Sequence, residues 1–135
     1  MNRKGFTLLE LILVVIILGI LASLGTVQYT KMIEKGRTAE AKIILGQIRT
    51  AQEAYKLEFG TYASALSNLP VSAPTTCPAT GGETATHYFA YSADGTAGTA
   101  TRCGTDTGKS PGSATAYTIT LNYATGAFGG SAGYY

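Results

Sequence analysis

From Phe6 to Val27 the chain is apolar except for one carboxylate, Glu10, and a few small or hydroxylated residues. A run of about 20 such residues matches the hydrocarbon thickness of a bilayer at about 1.5 Å of helical rise per residue. A carboxylate inside it costs roughly 2.5–3.5 kcal/mol on insertion scales, so Glu10 needs a partner and marks function. Arg3 and Lys4 stand in front of the run, and by the positive-inside rule they hold the N-terminus in the cytoplasm. Whatever follows the span then faces the periplasm or the outside. Two simpler readings compete. A secretory signal needs a small-residue cut, and Ala22-Ser23-Leu24 is a poor one. An ordinary anchor gives no reason for Glu10.

Behind the run the pattern turns amphipathic and stays helical. Tyr29, Met32, Ile33, Gly36, Ala39 and Ile43 recur at helical spacing, as do Ile44, Ile48, Ala51 and Tyr55. Glu34, Lys35, Arg37, Lys42, Arg49, Glu53 and Lys56 are assigned to the other side. No proline occurs before position 70, and Gly60 follows the last periodic residue as a helix stop. The expected helix is ~54 residues, roughly 80 Å long. A chain of 135 residues holds one modest domain and cannot bury the first half of such a rod. That half lies in lipid or against other copies.

The words Gly5-Phe6-Thr7-Leu8-Leu9-Glu10 and Ile17-Leu18-Gly19-Ile20-Leu21-Ala22 resemble the N-terminal signal of type IV pilins and of type II secretion pseudopilins. The resemblance runs from Met1 to about Tyr62. It implies a type IV pilin fold of class α+β, with a long N-terminal helix packed on a small antiparallel sheet. It implies a leader, residues 1–5, that a prepilin peptidase removes between Gly5 and Phe6. It also implies N-methylation of Phe6 and a role for Glu10 in assembly. The layout is then a transmembrane and assembly helix at 6–28, an amphipathic helix at 29–59 and a head of loop and sheet at 60–135. Cutting after Gly5 creates an α-amine with a pKa near ~7.7–8.0, a cation at neutral pH. Its bridge to Glu10 of a neighbouring subunit would neutralise both charges and set the axial stagger. A bridge to Glu10 of the same chain, one helical turn away, serves the charges as well. Gly19 and Gly25 weaken the helix by up to about 1 kcal/mol each and are the sites where it would unwind or let a neighbour approach. Pilins often carry a proline near this point, where this chain has Val27.

After the helix, residues 59–82 hold no charge but contain Pro70, Pro74 and Pro78. This reads as a loop with a short turn around Ala65 to Leu69. Strand composition follows at Thr86 to Ser92, ahead of the turn signal Asp94-Gly95, and near Gly98 to Cys103. The best alternation is Tyr117 to Tyr123, which puts Tyr117, Ile119, Leu121 and Tyr123 on one face. Ala124-Thr125-Gly126 then turns into a weak last strand near Ala127 and Phe128. Cys77 and Cys103 are the only cysteines, and outside the cytoplasm an even count favours one disulfide. Closing roughly 27 residues, it would contribute about 3–4 kcal/mol by loop entropy. Pilins usually bridge a region nearer the C-terminus.

Composition excludes several functions. Once Arg3 and Lys4 leave, 8 basic and 8 acidic side chains cancel, which argues against nucleic-acid binding by bulk charge. DNA contacts through a few exposed side chains are left open. Gly108-Lys109-Ser110 echoes a phosphate loop, but Gly104 is one residue too close and Pro111-Gly112 follows where a helix must start. His87 lies in strand-like sequence as a surface or half-buried ring, not a base. Two cysteines and one histidine form no recognised metal cluster, and Asp94 and Asp106 are few for calcium. No cofactor or metal is expected, and no enzyme. The last 26 residues carry no charge; Tyr117 to Phe128 read as a packing surface between subunits.

The expected protein is a structural subunit that waits in the bacterial inner membrane as a single-pass precursor and polymerises with identical copies into an extracellular type IV pilus. An inner-membrane assembly platform and its ATPase would supply the work. The alternative is the major pseudopilin of a type II secretion system, in the periplasm; a membrane-anchored monomeric binding protein or enzyme stands further off. In Glu10→Val the protein should still insert and be cut, yet yield few filaments by electron microscopy; abundant normal filaments would remove Glu10 from assembly.

Overall fold

The computed structural model describes residues 5–78, 87–104 and 116–133. Its first element, α1, runs unbroken from Leu8 to Phe59. Thr7 starts it: its hydroxyl accepts the Glu10 N–H at 3.3 Å and its carbonyl accepts the Leu11 N–H at 3.3 Å. Gly60 ends it in the left-handed region, φ +80°, where its N–H bonds the Lys56 carbonyl at 2.8 Å. Residues 1–34 and 35–135 form separate compact units.

In the second unit, four strands form an antiparallel meander in the order β1-β2-β3-β4. They are β1 (Phe89–Ala93), β2 (Ala97–Arg102), β3 (Thr118–Asn122) and β4 (Phe128–Gly130). A 3₁₀ turn at Leu66–Asn68 precedes the sheet. Each expected strand is present with shifted ends, and Thr86 lies outside the described residues, as do Arg3, Lys4, Asp106 and Lys109.

Turn chemistry explains the hairpins. Asp94 Oδ1 accepts from Thr96 N–H, Thr96 Oγ1–H and Ala97 N–H at 2.6–2.8 Å. These bonds favour its charged form and hold the carboxyl below its ordinary value. Asn122 Oδ1 plays the same part for Thr125, and Gly126 takes φ +70° against the Arg49 guanidinium. Alternation then sorts the faces. Tyr117, Ile119, Leu121 and Tyr123 are all buried, as the pattern predicts. This stripe fills the core of its own head, so of the 117–128 segment the opposite face, the turn that follows and Phe128 are left at the surface. On the other face Thr99 stands opposite Thr120 and Thr101 opposite Thr118.

Helix residues Ala41, Leu45 and Ile48 are fully buried with Phe89, Tyr91, Ile119 and Tyr123 in one cluster. Ile44, Ala51 and Tyr55 pack against its margin, in accord with the sequence. The Met32–Ile43 stripe differs: Met32 and Ile43 are 73% and 65% exposed. Two apolar stripes run along this helix, and the sheet covers only one. Nor are the cations confined to a solvated side. Arg37 lies 4.2 Å from the Tyr88 ring, Lys56 4.4 Å from Tyr62 and Lys42 5.5 Å from Phe128. Long basic stems reach across the helix flanks to aromatic rings that a short apolar side chain would miss.

Three polar features tie the head together. Gln52 is fully buried; its Oε1 accepts the Ala63 N–H at 2.8 Å and its Nε2 donates to the Ala63 carbonyl at 3.0 Å. The same amide reaches the Asp94 carbonyl at 3.4 Å, joining helix, loop and first hairpin turn. Cys77 and Cys103 form the expected disulfide, with Cα atoms 5.5 Å apart. It fixes the loop beside the points where Pro74 accepts the Tyr91 N–H at 2.7 Å and His87 Nε2 meets the Thr76 carbonyl at 2.9 Å.

Gln52 and Tyr123 should respond to truncation with opposite signs. Gln52→Leu strands two Ala63 backbone groups and should cost about 2–4 kcal/mol. The Tyr123 hydroxyl is buried without a hydrogen-bond partner among the described residues, since the Gln52 amide near it is committed elsewhere. Tyr123→Phe should therefore be neutral or stabilising by about 1 kcal/mol. Urea unfolding of the full chain in detergent reads both. Burial also pushes the Tyr91 and Tyr123 phenols up to about 12. Their contribution to stability is complete below the ordinary value of 10.0 and is lost as pH rises through about 12, a loss that Tyr123→Phe should reduce.

Candidate functional site

Neutral helical hydrogen bonds make Leu8–Gly25 a segment that lipid can accept, and its 18 residues span about 27 Å. None of it is buried. Ile12, Val14 and Ile17 are about half exposed, while Leu8, Leu9 and Leu24 are more so. An apolar surface this continuous marks contact with lipid or protein.

Glu10 stands in the first turn, where the N-terminal helix dipole favours an anion. With Thr7 at the cap and Glu10 three positions on, the spacing is that of a capping box. Gly5, Phe6 and Thr7 lie outside the helix, and Phe6 is 81% exposed. The predicted residues Gly5, Phe6 and Glu10 are thus brought into one short, accessible segment. Gly19 and Gly25 sit within continuous helix, and a Cβ added at either would meet nothing within 4 Å. The single chain is not unwound at either residue.

Thr7, Gln52 and Arg49 are structural anchors that the sequence patterns above do not single out. Thr7 was legible from the Thr-x-x-Glu spacing. Gln52 was legible as an amide four residues after Ile48 on a buried stripe. Arg49 belongs by its spacing to the charged side of the helix, yet its Nε–H donates to the Tyr123 carbonyl at 2.9 Å. It borders a shallow cleft of about 370 Å³ with Thr50, Glu53 and Phe128. Glu53 there accepts the Tyr62 hydroxyl at 3.0 Å, which engages it in packing. Among the described residues no three His, Cys, Asp or Glu side chains are grouped to hold a metal.

An apolar helix of bilayer length and a unit holding a four-stranded antiparallel sheet make an α+β layout that fits a membrane-anchored precursor. Residues 1–26 match the family model described as the prokaryotic N-terminal methylation motif. The chain is 43% identical over 56 residues to the type IV major fimbrial protein FimA of Dichelobacter nodosus, covering 42% of this chain and 36% of that protein. It is 38% identical over 62 residues to the type IV major pilin protein PilA of Myxococcus xanthus, covering 46% of this chain and 28% of PilA. With the type II secretion system core protein G of Pseudomonas aeruginosa it shares 37% over 79 residues, 57% of this chain and 56% of that protein. The matches span 28% to 56% of these relatives' lengths. Motif, relatives and α+β layout together support a type IV pilin family.

Proposed function

We propose that this chain is the structural subunit of a type IV pilus. The observation that carries this reading is the wholly exposed apolar helix Leu8–Gly25, headed by the methylation motif. Lipid covers that surface in the precursor and identical helices cover it in the filament. Hydrolysis between Gly5 and Phe6 frees the amine, methylation follows at Phe6, and Glu10 meets an amine during assembly. Gly19 and Gly25 leave room for close helix contact. The precursor sits in the inner membrane with its head beyond it, and partner proteins supply the energy.

One observation favours a second reading, the major pseudopilin of a type II secretion system. The match to core protein G is longer than that to FimA, 79 residues against 56. Deleting the gene separates the two. A pilus subunit should leave the cells without surface fibres and with normal enzyme secretion. Lost secretion with fibres intact would make it a pseudopilin, and neither loss would contradict both.

A further inference from the structure

The geometry points to Thr7 as the residue that keeps the Gly5–Phe6 peptide outside the helix and open to hydrolysis. This rests on the reading above that the chain is cut after Gly5. In the cut, water adds across the Gly5–Phe6 amide; the hydroxyl goes to the Gly5 carbonyl carbon, the C–N bond breaks and Phe6 leaves with the proton as an amine.

A peptidase works on backbone whose carbonyl is accessible, and helical backbone must first open locally. Here the helix begins two residues after Phe6, and the start is set by Thr7: its hydroxyl takes the Glu10 N–H and its carbonyl the Leu11 N–H. Phe6 is exposed, and the Gly5 Cβ position has nothing within 4 Å. Neither Gly5 nor Phe6 has a side-chain acceptor. The next residue upstream suited to capping is Asn2. A helix capped at Asn2 would draw Gly5 and Phe6 into its first turns. Near lipid a bare helix N–H is costly, so loss of the Thr7 acceptor favours that upstream extension over a frayed end. Thr7 is thus a positioning residue for cleavage, acting through backbone conformation.

The test compares initial cleavage rates of the full chain by a prepilin peptidase in detergent, for the unaltered chain, Thr7→Ser and Thr7→Val. Valine keeps the shape and removes the acceptor; serine keeps the acceptor. Thr7→Val should be cut about fivefold more slowly, the weight of one lost N-cap, and Thr7→Ser within about twofold of the unaltered chain. The Gly5 and Phe6 carbonyl ¹³C shifts should move towards helical values in Thr7→Val alone. Equal rates for Thr7→Val and the unaltered chain would overturn the inference, as would Thr7→Ser as slow as Thr7→Val. An unaltered chain that stays whole would overturn the Gly5–Phe6 cut itself, a distinct result.

Discussion

Apolar side chains with nothing over them govern the rest of this protein. Leu8–Gly25 exposes its whole surface, and water cannot be its long-term neighbour. Each large side chain left in water forfeits roughly 1.5–3 kcal/mol of available burial, so the segment strongly favours any apolar cover. Lipid is one cover and a ring of identical helices is another. In the head, Asp94 and Asn122 are engaged in turns, and Gln52 and Arg49 in anchoring the helix.

The head is built to be small and firm. Leu45, Ile48, Phe89, Ile119 and Tyr123 fill its core, and polar ties add specificity. Gln52 gives up all solvent contact to bind both backbone groups of Ala63, and Arg49 ties the helix to the end of β3 through the Tyr123 carbonyl. Buried amides of this kind stabilise only when satisfied, and here the satisfaction fixes which loop lies against which turn of helix. The disulfide holds the loop at the other end of the sheet. The Tyr123 hydroxyl, unpartnered among the described residues, is the exception, retained in a ring that otherwise fills the core.

Legibility in the sequence followed the strength of the periodic signal. The helix was plain because no proline interrupts it and Gly60 can take the left-handed stop. The β3 alternation was plain because one face is fully buried, so Tyr117, Ile119, Leu121 and Tyr123 could have only one destination. The Met32–Ile43 stripe misled, because periodicity reports an apolar face and not what covers it. Arg49 and Lys42 misled for a related reason: a long cationic side chain can leave its own helix face to reach a carbonyl or a ring. At Glu10 the Thr-x-x-Glu spacing reads as a helix start, and the bond from the Glu10 N–H to the Thr7 hydroxyl is that start.

The most direct measurement is imaging of native particles sheared from cells, together with the N-terminal mass of their subunit. The account predicts thin filaments of this chain alone, beginning at Phe6 with one added methyl group and with the apolar helices gathered inside. A lone monomer that retains Met1–Gly5 and never polymerises would contradict it.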